Sequence, residues 1–263
     1  EIEIQKIFKK KVVVFYDFDV DIRNDRFENI NFKNKLNDFL YLRYVDNSIM
    51  IDALNELIKR DFNIVRLGRS NKEFPFKNNN FYDFAFKYNS HNEITSLDFL
   101  IPFNSTFCVT LGCGAHSTAF LYGIPTFFVG YHRFDNWQNL RNSMVLPKKF
   151  LSANNNKLIP VSELQKMEIL PYSKKYWTSK KIYIKSPDKK EVLRSLMEFL
   201  NIILKRKDFS NLNASIINSW QNIYLKRNIE YQKSQKSCYK AKQKFSALVS
   251  KYELELNKIF YFK

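Results

Sequence analysis

The run TLGCGAHSTAFLYGIPTFFVG, residues 110–130, holds four of the chain's five glycines and reads as strand, turn, helix and strand. A strand that ends in glycines and turns straight into a helix aims free backbone N–H groups, and the positive end of the helix dipole, at whatever sits above the strand end. Such a turn is suited to a phosphate: Gly112 and Gly114 let backbone approach an anion, Ser117 and Thr118 put hydroxyl donors in the first helical turn, and His116 adds a donor or a positive charge. The spacing matches neither G-x-G-x-x-G nor G-x-x-x-x-G-K-[ST], so the standard dinucleotide and P-loop fingerprints are absent. Asp17 and Asp19 close the first apolar run, and a set of arginines lies near strand ends, among them Arg43 and Arg66. Arginine suits bidentate phosphate binding. Arg66 stands out because it interrupts the apolar run 64–68, where a buried charge needs a partner. In the loop after 126–129, Tyr131 and Trp137 offer faces that can stack on a base or sugar, and Asp98 follows the same strand-end logic.

The elements that must position these residues alternate. Strands are expected over 11–19, 63–68, 81–86, 106–111 and 126–129, with a further extended segment at 143–151. Helices are expected over 48–60, capped by Ser48 or Asn47, and over 95–103, 115–122 and 188–205, with a short one starting at 160. Strands alternating with helices of this length imply a parallel sheet covered on both faces. The expected fold is therefore α/β, a Rossmann-like parallel sheet with flanking helices over 1–208, followed by a basic amphipathic helical extension over 209–263. In that extension Ile217, Tyr224, Tyr231, Cys238, Phe245, Tyr252 and Ile259 recur every seven residues. It can lie along the domain, pair in a homodimer, or rest on an anionic membrane.

Composition narrows the partners. A chain of 263 residues with 45% hydrophobic residues is globular, and its formal charge of +17 favours anionic partners. Cys108, Cys113 and Cys238 form neither a disulfide framework nor a metal-ligand spacing, which points to a reducing compartment. No apolar run reaches the roughly 20 residues that span a bilayer. No signal peptide is visible, and Glu1 opens inside sequence that reads as structured, as in a piece of a longer chain.

Several segments in series resemble a family of bacterial glycosyltransferase-like proteins linked to surface polysaccharide synthesis, whose catalytic module is like the nucleotide-sugar half of a GT-B enzyme. They are 12–19, 43–46 leading into 49–58, 63–68, 97–100 before 106–111, the glycine loop 112–118, 122–125, 146–149 and 161–162. The first strand departs from the family's His and Arg-Asp ending, and His116 stands where a small residue is more usual. The resemblance implies that Gly112, Gly114, Ser117 and Thr118 hold the donor diphosphate, with Arg43 and Arg66 as supporting cations, and that sugar moves from a nucleotide-sugar to a glycan or lipid-linked acceptor with no metal or cofactor. Asp17, Asp19 and His116 are the candidate catalytic groups. A cytoplasmic chain peripheral to the inner membrane face, with no nucleic-acid partner, fits that role. Two other readings stand beside it. One is a phosphatase resembling the haloacid dehalogenases, using Asp17 and Asp19 with Ser70 at the phosphate, although the acidic pair that should close its magnesium site is missing. The other is a non-enzymatic scaffold.

Overall fold

The computed structural model describes residues 2–17, 42–88, 93–111, 117–132, 143–164, 174–205 and 248–249. In chain order the elements are α1 (Ile2–Ile7), β1 (Lys11–Tyr16), a 3-10 turn (Asn47–Met50), α2 (Ile51–Lys59), β2 (Phe62–Leu67), β3 (Phe81–Asp83) and α3 (Phe84–Lys87). Then come α4 (Glu93–Phe103), β4 (Phe107–Thr110), α5 (Ser117–Leu121), β5 (Thr126–Tyr131), β6 (Ser143–Pro147) and β7 (Lys149–Ser152). The described elements end with α6 (Val161–Leu164), α7 (Lys174–Ser179), β8 (Ile182–Lys185), α8 (Lys189–Leu204) and β9 (Leu248–Val249).

The main sheet runs β3-β2-β1-β4-β5-β6-β9, and every pair in it is parallel. Its first six strands therefore take the Rossmann-like order, with β1 at the centre and the chain reversing its direction of travel across the sheet between β1 and β4. Strand period two divides the core. Val13 and Phe15 of β1, Phe62 and Ile64 of β2, Phe107 and Val109 of β4, and Met144 and Leu146 of β6 pack on one face with α2 and α8. Val12, Val14, Tyr16, Val65, Leu67 and Cys108 pack on the other with α1, α3, α4 and α5. Strands buried on both faces read as unbroken apolar runs, which is why KVVVFY and FNIVRL look as they do.

Some local expectations change. The helix after β1 is capped by Asp46, whose Oδ1 accepts from Ser48 N at 2.9 Å, and not by Asn47 or Ser48. The strand expected over 81–86 stops at Asp83, because the Asp83 side chain caps α3 by accepting from Phe86 N. The segment 143–151 divides at Lys148: β6 joins the main sheet, while β7 pairs antiparallel with β8. The expected helix 188–205 forms with a full capping box, Asp188 and Glu191 each accepting from the other's backbone N–H. Of the extension 209–263 only Leu248–Val249 is described, and it is a short strand beside β6. The rest of the expected helix lies outside the described residues.

Two glycines of the opening run show why they are glycine. Gly123 follows α5 at φ +66°, the left-handed end of a helix, where Ile124 N reaches back to Ala119 O at 2.9 Å. Gly130 has φ +70° at an irregularity in the β5–β6 ladder, and a Cβ there would lie 2.4 Å from Val45 Cγ2. The strand thus makes room for the segment 42–47, which crosses its carboxyl end. Gly130→Ala should destabilise the fold by about 2–4 kcal/mol, from left-handed backbone strain plus the Val45 overlap. Val45→Ala should restore part of that loss in urea unfolding; loss no greater than at an ordinary surface site would contradict the crossing.

Candidate functional site

Period two carries each inner stripe to the carboxyl edge of the sheet, and there it changes character. On β1 the stripe Val13, Phe15 continues to Asp17; on β2 the stripe Phe62, Ile64 continues to Arg66. Phe15 is in register with Arg66, and Arg66 with Asp83 of β3, so three polar side chains meet across three adjacent strands. Arg66 is 2% exposed. Its Nε donates to Asp17 Oδ1 at 2.9 Å and its Nη2 to Asp17 Oδ2 at 2.7 Å, a fork-on-carboxylate pair. Nη1 donates to Asp83 Oδ1 and Oδ2 at 3.1 and 3.0 Å and to Lys72 O at 3.1 Å, and the guanidinium lies over the Phe74 ring. Burial works against this charge, but hydrogen bonding and attraction from Asp17, then Asp83, outweigh it and hold Arg66 above its ordinary pKa.

The network also orders the loops above the sheet. Asn47 Nδ2 donates to Asp17 Oδ2 at 2.7 Å, which ties the 3-10 turn to β1. Asp83 Oδ2 accepts from Phe74 N at 2.8 Å, and Ser70 Oγ donates to Lys72 O at 2.7 Å, so the connection from β2 to β3 is folded back onto Arg66.

Lys148 stands two residues beyond Leu146 on the same stripe, and its backbone N–H extends the β5–β6 ladder to Tyr131 O at 2.9 Å. The residue is 2% exposed, and its ammonium donates to Tyr44 O, the backbone of the crossing segment. Among the described residues it makes no ion pair, whereas its neighbour Lys149 pairs with Glu191 of α8. Burial alone pulls Lys148 down to about 8. No signal in the residue order separates this buried lysine from the exposed ones elsewhere; it follows from the crossing of 42–47 over β5 and β6.

On the opposite face, Asp98 of α4 approaches the end of β2. Burial raises its pKa to about 6, against the lowering effects of a hydrogen bond from the Gly68 backbone and of Arg69. Its Oδ1 is buried without a partner among the described residues. Thr118, in the first turn of α5, shares a 3.1 Å hydrogen bond with the Tyr16 hydroxyl at the end of β1. That contact brings the residues following the glycine loop to the point between β1 and β4 where the strand order reverses.

Of the residues singled out in the sequence, the structure brings Asp17 and Arg66 into one ion pair and sets Thr118 beside β1. Arg43 lies in the crossing segment 42–47, Ser117 opens α5, and Tyr131 ends β5 with its ring edge-on to Phe128. Asp19, Gly112, Gly114, His116 and Trp137 lie outside the described residues. No group of three or more His, Cys, Asp and Glu side chains able to hold a metal occurs among the described residues. Comparison with protein families, with curated proteins and with solved structures finds no match to this chain.

Two outcomes follow from these charges. Arg66→Met strands two carboxylates and should cost about 3–5 kcal/mol in urea unfolding, with Asp17→Asn costing less because Asp83 still faces the guanidinium; a loss under about 1 kcal/mol for Arg66→Met would refute the central role of the pair. For Asp98 the folded pKa, about 6, lies above the ordinary value of 3.8. The fold therefore favours its protonated form, and that contribution is complete below pH 3.8 and lost as pH rises through 6. Asp98→Asn should then be the more stable protein at pH 7.5, by on the order of 2 kcal/mol, and equal to wild type near pH 3.5. Parallel stability profiles for the two proteins would contradict it.

Proposed function

We propose that this domain binds a nucleotide-sugar across the carboxyl ends of β1 and β4 and acts as the donor-binding half of a GT-B-type glycosyltransferase that uses no metal. The observation that carries the reading is the strand order, which places a reversal between β1 and β4 with polar side chains gathered above it. In open α/β sheets ligands sit in that crevice, outside the carboxyl ends of the strands. The glycine run lies in sequence between β4 and α5, and the ordered resemblance to glycosyltransferase-like proteins supplies the substrate class.

In this reading the bond between the anomeric carbon and the diphosphate oxygen breaks as the acceptor oxygen attacks, and negative charge grows on the departing nucleoside diphosphate. Backbone N–H groups of 112–118 and the Thr118 hydroxyl meet that charge in place of water. Arg66 supports the site indirectly, because its fork is occupied by Asp17 and Asp83 and holds the strand ends in register. Asp17 is then a positioning carboxylate. Asp98, on α4 beside the Gly68 backbone at the end of β2 and with its pKa raised by burial to about 6, is the carboxylate we assign to take the acceptor's proton.

A thermal-shift panel of nucleoside diphosphates and their sugars tests the reading. A ligand at about 100 times its Kd stabilises the fold by about 2.7 kcal/mol, a rise of roughly 5 °C or more for a domain of this size. Gly114→Leu should abolish most of the shift, because its side chain would keep the backbone N–H groups of the run from the diphosphate. A flat panel with wild-type protein would sink the donor-site assignment.

A further inference from the structure

The helical layer formed by α1, α3, α4 and α5 carries an apolar surface that the fold does not use. The second half of α4, residues 99–103, is apolar on every side: the helix buries Ile101 and partly buries Leu97 against the sheet, yet Phe99, Leu100 and Phe103 face outward, with Leu100 58% and Phe103 60% exposed. Leu121 of α5 is 78% exposed, and Tyr122 beside it meets Phe103 edge to face at 5.1 Å, so the two helices present one continuous patch. A helix that is apolar all round is normally covered on all sides. Contiguous apolar surface of this kind marks an interaction site.

The charges around the patch choose the partner. Lys9, Lys10 and Lys11 run into β1 at the edge of the sheet where α4 ends, and Thr106 N, just past α4, donates to Val12 O at 2.8 Å. Lys6, Lys9 and Lys11 are exposed, and so is Lys87 at the end of α3. Acidic groups pair with two of these lysines, Glu3 with Lys87 and Asp61 with Lys10, and leave Lys6, Lys9 and Lys11 with no ion pair among the described residues, while Asp98 is turned towards Gly68 and Arg69. A second copy would bring the same lysines face to face, on a chain whose formal charge is already +17. α4, at 11 residues, is too short to span a bilayer, and no helix among the described residues is long and apolar enough to do so. Aromatic and leucine side chains that enter the acyl boundary, flanked by lysines that meet anionic headgroups, are the features of a surface that rests on a membrane.

We propose that the α4–α5 face, through Phe99, Leu100, Phe103, Leu121 and Tyr122 with its bordering lysines, docks the protein on an anionic lipid surface. This does not depend on what the carboxyl edge of the sheet binds.

Co-sedimentation of the full chain tests it, using vesicles of phosphatidylcholine alone and vesicles carrying about one-third phosphatidylglycerol. Wild type should partition onto the anionic vesicles, with at least about tenfold weaker binding to the neutral ones and weakening at high salt. The double variant Phe103→Ser, Leu121→Ser should lose about tenfold or more of that binding with an unchanged thermal midpoint, because both side chains are already exposed. Should that variant fold poorly, Leu121→Trp provides a second measurement, its indole being quenched by brominated lipid only if the patch enters the bilayer. Wild-type-like binding by the double variant, as when residues 209–263 alone carry the contact, overturns the proposal. So does absence of quenching, equal binding to both vesicles, or a wild-type dimer that the double variant converts to monomer.

Discussion

The pairing of Arg66 with Asp17 and Asp83 is the constraint on which the carboxyl edge of this sheet depends. One guanidinium, buried in the second strand, spans to carboxylates on the first and third, and it can do so only if those strands hold their register. Its planar fork fits Asp17 with two parallel bonds, and its remaining donors reach Asp83 and the backbone of Lys72. Desolvating such a group is costly, and the geometry offsets that cost only when every partner is in place. The loops follow from it: Asn47 is drawn to Asp17, the β2–β3 connection to Asp83, and Phe74 beneath the guanidinium face.

Against that saturated charge, two further ionisable groups at the same edge are held less completely. Lys148 has a backbone carbonyl where Arg66 has two carboxylates, and Asp98 has a peptide N–H with Arg69 at longer range. Burial pulls the lysine down to about 8 and pushes the carboxyl up to about 6, so that both titrate near neutrality. Groups displaced in this way concentrate where proteins bind charged ligands or move protons. A fold optimised for stability alone would replace them, as a well-packed apolar residue at either position removes a penalty. Their presence at the strand ends, and not at the opposite edge, is consistent with a ligand that arrives there.

The α/β class was legible because its cause is local. Strands buried on two faces must be apolar without interruption, helices covering them must be apolar on one side, and the intervals between them allow only parallel crossovers. Those patterns located β2, β4, β5 and α8 to within a residue or two, whereas β1 stops at Tyr16, short of the expected 19, and the first turn expected of α2 is the 3-10 turn. Arg66 was also conspicuous as a charge inside an apolar run, and its need for a partner could be stated. The partner could not be named, since Asp17 and Asp83 lie 49 and 17 residues away and only the order of strands puts them on either side. The short elements α1, α7 and β8 carry too few residues for a period to show.

The amino-acid sequence by itself determined the layered α/β architecture, the edge at which glycine and charge collect, and the net positive surface, because each of these is a sum over local patterns or composition. Tertiary structure alone decided that β1 is central, that the segment 42–47 crosses β5 and forbids a side chain at residue 130, that Lys148 is buried while Lys149 is paired, and that α4 keeps half its apolar surface outside. Each of these depends on which distant segments become neighbours. That choice is made by the packing of whole elements, whose free energy no short stretch of the chain contains.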